Sequence, residues 1–147
     1  MIRQATRDDI DAITAMAAKF YETTEYNAHF PFDRESVERL CGLLMDQGVL
    51  LVATMDEKLV GMIGLIVAPF MFNHDFLSAN EVVWWVDPAV QGLGVGSGLL
   101  QFAERHCRER GAKTMQMVTL SNSPEVAAVT YQRAGFRHSE TCFTKGL

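Results

Sequence analysis

Cysteine is scarce in this chain. Cys41, Cys107 and Cys142 are odd in number and lack metal-ligand spacing, so neither a disulfide framework nor a zinc knot is expected to organise the fold, and no metal site is expected. Positive charge is also short, with 13 basic residues against 18 acidic ones and a formal net charge of −5. That balance argues against broad affinity for a nucleic-acid backbone, and the cluster Arg105, Arg108, Arg110 and Lys113 reads as a solvated helix face. No apolar run approaches a membrane span. The opening MIRQATRDDIDAI meets acidic residues where a signal peptide needs its apolar core, which predicts a cytoplasmic protein. The 147 residues contain no repeat, long linker or low-complexity tract, so a single domain spanning 1–147 is expected.

What is present is a globular composition, 48% hydrophobic and 21% charged, patterned into alternating elements. Ile2 to Ala5 predicts a short strand. Thr6 and Asp9 form a capping box for a helix with Ile10, Ile13, Ala17 and Phe20 inward. After an aromatic and polar loop from Tyr21 to Asp33, Asp33 caps a second helix carrying Val37, Leu40 and Leu44, closed by Gly48. Val49–Ala53 and Leu59–Val67 read as a hairpin, and Pro69 to Ser78 (PFMFNHDFLS) as a break. Glu81 to Val86 then reads as a central strand stopped by Pro88. A helix from Val95 to near Gly111, a strand from Thr114 to Leu120, a helix capped by Ser123 with Pro124 and Glu125, and a closing strand from Phe136 to Phe143 complete the order β-α-α-β-β-β-α-β-α-β. The expected class is α/β, a mixed, mainly antiparallel central sheet flanked by helices on both faces.

The densest signal is QGLGVGSG, residues Gln91 to Gly98, placed between the strand ending Val86-Asp87-Pro88 and a helix start. Glycines there let a ligand approach the main chain, and the helix terminus favours an anion such as a pyrophosphate. No Gly-Lys-Ser/Thr follows, which excludes a P-loop. A dinucleotide fold is disfavoured because the chain has no second nucleotide-binding half.

Gln91-Gly92-Leu93-Gly94-Val95-Gly96 together with Tyr131-Gln132-Arg133-Ala134-Gly135-Phe136 resembles the GCN5-related N-acetyltransferase (GNAT) superfamily, whose loop reads Q/R-x-x-G-x-G/A and whose later segment reads Y-x-x-x-G-F. With the element order, the likeness covers residues 1 to 143. It implies acetyl-coenzyme A as cosubstrate in a V-shaped gap between splayed strands. Trp85 and Val86 would offer main-chain groups to the pantetheine arm, and Gln91, Gly92, Gly94, Val95, Gly96 and Ser97 would surround the pyrophosphate. Pro124 stands where the family often has asparagine, with Asn122 nearby as the substitute contact. The implied reaction moves acetyl to a primary amine, of a small molecule or a peptide, by direct attack in a ternary complex. A noncatalytic coenzyme-binding sensor or interaction module of the same fold is the alternative.

By family position Tyr131 would protonate the departing sulfur, against the simpler reading of an aromatic packed on the sheet. Glu81 is the candidate general base, or else a solvated strand-end residue. Strand alternation groups it with Val83 and Trp85, opposite Val82, Trp84 and Val86. Tyr21, Glu22, Glu25, Tyr26 and His29 between the first helices, with His74 and Asp75 before the central strand, form a candidate rim for a cationic amine or plain mobile surface. The apolar PFMFNHDF stretch suits a site mouth, a cover for exposed sheet or a homodimer surface.

Overall fold

The computed structural model describes residues 1–147. Its elements are β1 (Ile2–Gln4), α1 (Ile10–Glu22), α2 (Arg34–Gln47), β2 (Val49–Met55), β3 (Lys58–Phe70), β4 (Asn73–Val86), α3 (Val95–Glu109), β5 (Ala112–Gln116) and α4 (Glu125–Arg133). The sheet order is β1-β2-β3-β4-β5. The first three pairings are antiparallel and only β4–β5 is parallel, as a single crossover through α3 requires. The mixed, mainly antiparallel sheet expected from the sequence is therefore observed.

Alternation along β2 sends Leu50 and Val52 to one face, where they meet Ile13, Met16, Cys41 and Leu44 of α1 and α2. Val49, Leu51 and Ala53 go to the other face and meet Leu99, Leu100, Ala103 and Cys107 of α3. Covering both faces explains why β2 is apolar at every position from Val49 to Ala53.

Three expectations need correction. Pro69 to Ser78 is no break: β3 and β4 run on through it as a hairpin paired from Val67↔Ala79 to Phe70↔Asn73. Pro69 is tolerated because β2 stops pairing with β3 at Leu65, so a missing N–H costs no ladder bond on that side. The hairpin tip projects into solvent with Met71 76% and Phe72 85% exposed. The closing strand from Phe136 to Phe143 does not form. Its alternating residues offer no apolar face to bury, and Phe143 is 94% exposed. Ser123 caps no helix; its hydroxyl accepts the Leu120 N–H at 2.8 Å and closes a turn, while Pro124 stands at the start of α4.

The capping box at Thr6 is extended by an ion pair. Asp9 accepts the Thr6 N–H at 2.7 Å and two Arg3 N–H bonds at 2.7 and 2.8 Å, pinning β1 to the start of α1. Those donors, Arg3 first, hold the Asp9 carboxyl down at about 2. Because the folded value lies below the ordinary one, the stabilisation is complete above about pH 4 and is lost as pH falls toward 2. Asp9→Asn is expected to cost about 1 kcal/mol at neutral pH and nothing below pH 2. Urea denaturation of both proteins at pH 7 and pH 2 checks this, and an equal difference at the two pH values would disprove it.

Candidate active site

Parallel pairing of β4 with β5 ends at Asn80↔Gln116. Beyond that point β4 continues to Val86 while Met117 to Leu120 diverges from it, leaving a gap of six residues, about 20 Å along the strand. A bulge in β4 marks the inner end. Val83 pairs with Gly64 and Glu81 with Leu65, so Val82 has no partner. The extra residue breaks the simple alternation expected from the sequence. Val82, Val83 and Trp85 pack together on the α1–α2 face, whereas Trp84 and Val86 pack toward α3 and Tyr131. Glu81 is not grouped with Val83 and Trp85; it turns across the gap.

There its carboxylate accepts the Val118 N–H at 2.8 Å, taking the place of the strand carbonyl that would pair this amide in an unbroken ladder. Tyr131, projecting from α4, donates its hydroxyl to the Val118 carbonyl at 2.9 Å. One peptide residue of the diverging segment is thus held from both polar ends. Burial pushes the Glu81 carboxyl up to about 7, with the Val118 N–H and the neighbouring Tyr131 hydroxyl opposing the rise. Burial raises the Tyr131 phenol as well, and the adjacent Glu81 charge adds to it. The two groups proposed from sequence are therefore neighbours with matched environments: a carboxyl poised near neutrality and a phenol that keeps its proton.

At the outer end of the gap lies the glycine loop. Gly92 and Gly94 have φ of +84° and +82°, and a side chain on either would point into open space. Only glycine adopts this conformation freely. Gln91 and Leu93 spend their N–H groups on Pro88 and Val90, each at 3.4 Å, but the N–H groups of Gly92, Gly94, Val95, Gly96 and Ser97 have no protein acceptor. The first bond of α3 is Gly98 to Gly94 at 2.9 Å. Consecutive unpaired amides at a helix start make a donor-only surface suited to a phosphate group, so the residues present fit the phosphate-bearing cosubstrate that the sequence pattern implies.

Other candidates are placed differently. The Gln91 side chain folds back and donates to the Val86 carbonyl at 3.1 Å. Asp87 donates to Val60 at 2.8 Å, so alternation turns the main-chain groups of Trp85 toward β3 and those of Trp84 and Val86 toward the gap. Asn122 is exposed in the turn before α4. Tyr21, Tyr26 and Phe32 form an aromatic group over a short 3-10 turn, Glu25–Ala28, and Tyr21 donates to Phe30 at 2.6 Å. Glu22, Glu25 and His29 are exposed. His74 and Asp75 belong to the projecting hairpin. Seven residues of extended strand separate His74 from Glu81, about 23 Å, so His74 and Asp75 stand away from the Glu81 end of the gap. Val118 escaped sequence reasoning because its contribution is main-chain only. Trp84 escaped it because the bulge was not legible.

A profile of the family described as "Acetyltransferase (GNAT) family" matches residues 11–136. The chain belongs to that family. It is 28% identical to an aminoalkylphosphonate N-acetyltransferase of Salmonella typhimurium over 99% of this chain and 90% of that one. It is 37% identical to a mycothiol acetyltransferase of Cellulomonas flavigena, over 62% of this chain and only 27% of that protein's length. A predicted acetyltransferase from Clostridium acetobutylicum, solved with acetyl-CoA, superposes with a TM-score of 0.76 at 14% identity, covering 99% of this chain and 95% of that one. At that identity the likeness establishes the shared GNAT fold.

The raised Glu81 value has a consequence independent of any substrate. A carboxyl whose folded value exceeds the ordinary one destabilises the ionised folded protein, so stability declines as pH rises from about 4.5 to about 7 and then levels. Glu81→Gln keeps an acceptor for Val118 and removes the charge. The variant is expected to exceed the wild type in stability at pH 8 by on the order of 2 kcal/mol and to match it near pH 4. Thermal melts across that range would refute the burial account if the difference did not grow with pH.

Proposed function

We propose that this chain transfers an acetyl group from acetyl-coenzyme A to a primary amine by direct attack within a ternary complex. The observation that carries the reading is the run of unpaired amides at Gly92, Gly94, Val95, Gly96 and Ser97 at one end of a strand gap whose other end holds Glu81 and Tyr131. A phosphate group on those amides directs a long, thin arm along the open edge of β4 toward the bulge. Acetyl-coenzyme A supplies the thioester carbonyl there.

Within this reading Glu81 accepts a proton from the acceptor amine, directly or through a water, so that the neutral nitrogen can attack the carbonyl carbon. A value raised to about 7 makes Glu81 a stronger base than an ordinary carboxylate and still able to release the proton. As the carbon–sulfur bond breaks, the sulfur leaves with the Tyr131 proton. The phenol's affinity for that proton matters little in the resting protein because the thiolate charge exists only as the bond breaks, and the hydrogen bond strengthens at that stage. No acyl-enzyme step is required: Cys41 and Cys107 are buried with raised thiol values and Cys142 is exposed without an activating partner. The aromatic and acidic residues Tyr21, Glu22, Glu25, Tyr26 and His29 favour a positively charged acceptor. Acetylation of an amine by the Salmonella relative is consistent with that class.

Incubation with acetyl-coenzyme A and a mixed amine library, read by mass spectrometry, tests activity and acceptor together; an acetylated amine and free coenzyme A are expected. Tyr131→Phe should lose turnover by about 100-fold with coenzyme affinity nearly kept. A protein that only senses the coenzyme would show no turnover in either form. In the glycine loop, Gly94→Glu should abolish coenzyme binding by bulk and charge, and unaltered affinity in a folded variant would remove the amide cradle from the reading.

A further inference from the structure

The bulge in β4 places one group that neither the proposed proton transfers nor the amide cradle uses. Trp84 lies between the two halves of the site. On one side its ring stacks at a tilt on Tyr131, with centroids 5.1 Å apart and planes 34° apart. On the other side its Cζ2–Cε2 edge meets α3 so closely that a Cβ on Gly96 would stand 3.2 Å from Cζ2 and 3.8 Å from Cε2. Nε1 is bonded to Cε2, so the indole N–H sits against the first turn of α3. It is buried and has no hydrogen-bond partner.

An unpaired buried N–H costs on the order of 1–3 kcal/mol, and the neighbourhood explains why Trp84 cannot avoid it. The main-chain groups of the first α3 turn near it are donors without acceptors, and donors cannot satisfy one another. Glycine at 96 does more here than free the loop, because a Cβ would press on the indole edge and push it back by a few tenths of an ångström. The second tryptophan is a natural contrast: Trp85 packs on the opposite face with the α1–α2 cluster, and its indole nitrogen is not among the unpaired buried atoms.

We propose that the Trp84 indole N–H is a ligand-positioning donor that takes an acceptor oxygen of the bound coenzyme, joining the amide cradle to the Tyr131 end of the site. This rests on the coenzyme reading above. Two oxygens of the same ligand share the required chemistry, a pyrophosphate oxygen near the loop and an amide carbonyl of the pantetheine arm. Either would complete a group the folded chain leaves unpaired, and the stacked Trp84 ring would then carry ligand occupancy to the wall that supports Tyr131.

The chain has two tryptophans, so a ¹⁵N-labelled sample gives two indole signals, assigned with Trp85→Phe. Titration with coenzyme A is expected to shift the Trp84 indole signal and slow its exchange with deuterated solvent, together with shifts of the Gly92 to Ser97 amides. ADP and pantetheine, added separately, tell the two oxygens apart: response to the first places the bond at the pyrophosphate, response to the second at the arm. Trp84→Phe, which keeps an aromatic ring and removes the donor, should bind coenzyme A about tenfold more weakly. The proposal is overturned if coenzyme A shifts the loop amides while the Trp84 indole signal and exchange stay unchanged. If phenylalanine does not support the fold, the native protein's indole signal decides alone. Loop amides that ignore coenzyme A altogether would instead strike down the coenzyme reading itself.

Discussion

A main-chain amide withdrawn from water must find a partner, and the site is built where the sheet stops supplying one. Up to Asn80 and Gln116 the two central strands satisfy each other. Past that point β4 faces an open gap, and the chain meets the shortage with side chains at one end and leaves it unmet at the other. Glu81 and Tyr131 take the N–H and the C=O of Val118. At the loop, glycine conformations and the start of α3 leave amides without acceptors. The same shortage therefore produces a proton-handling end and an anion-seeking end, separated by one stretch of extended strand.

The bulge at Val82 sets which side chains face that gap. Without it, period-two alternation would put Glu81 on the α1–α2 face beside Val83 and Trp85, away from Tyr131. With it, Glu81 and Trp84 both reach the side where α3 and α4 pack, and Gly96 admits the indole. Burial then tunes the two titratable groups. Glu81 rises because the charged form is desolvated by burial, and the Val118 N–H with the nearby Tyr131 hydroxyl only partly offsets that cost. The surrounding scaffold holds this geometry from two directions, with α1 and α2 bedded on one apolar face and α3 on the other, and with the Arg3–Asp9 pair fastening the first strand to the first helix.

Much of this was legible in the residues. Thr6 and Asp9, Asp33, Gly48 and Gly111 marked helix ends that the structure reproduces to within a few residues, because capping is a local interaction between neighbours in the chain. The apolar run Val49–Ala53 gave a strand, and the alternating glycines after Val86 gave the loop, since positive φ is a property of single residues. The stretch from Pro69 to Ser78 was misread as a break because Pro69 is judged by whether its missing N–H would face a partner strand, and that depends on where β2 ends. The segment from Phe136 to Phe143 contains residues that suit a strand but no apolar side to bury, and a strand lasts only when a neighbour pairs with it.

Local chemistry in the sequence thus determined the order of elements as far as the last helix, the glycine loop with its exposed amides, and the presence of a tyrosine on that helix and a glutamate on the central strand. Tertiary structure alone decided that Glu81 and Tyr131 meet at Val118, that Trp84 rather than Trp85 turns to the gap, and that His74 and Asp75 stand far from both. The physical reason is that helix caps and backbone twist depend on a few adjacent residues, whereas a bulge is fixed by register against another strand, and a one-residue slip in register sends every following side chain to the opposite face.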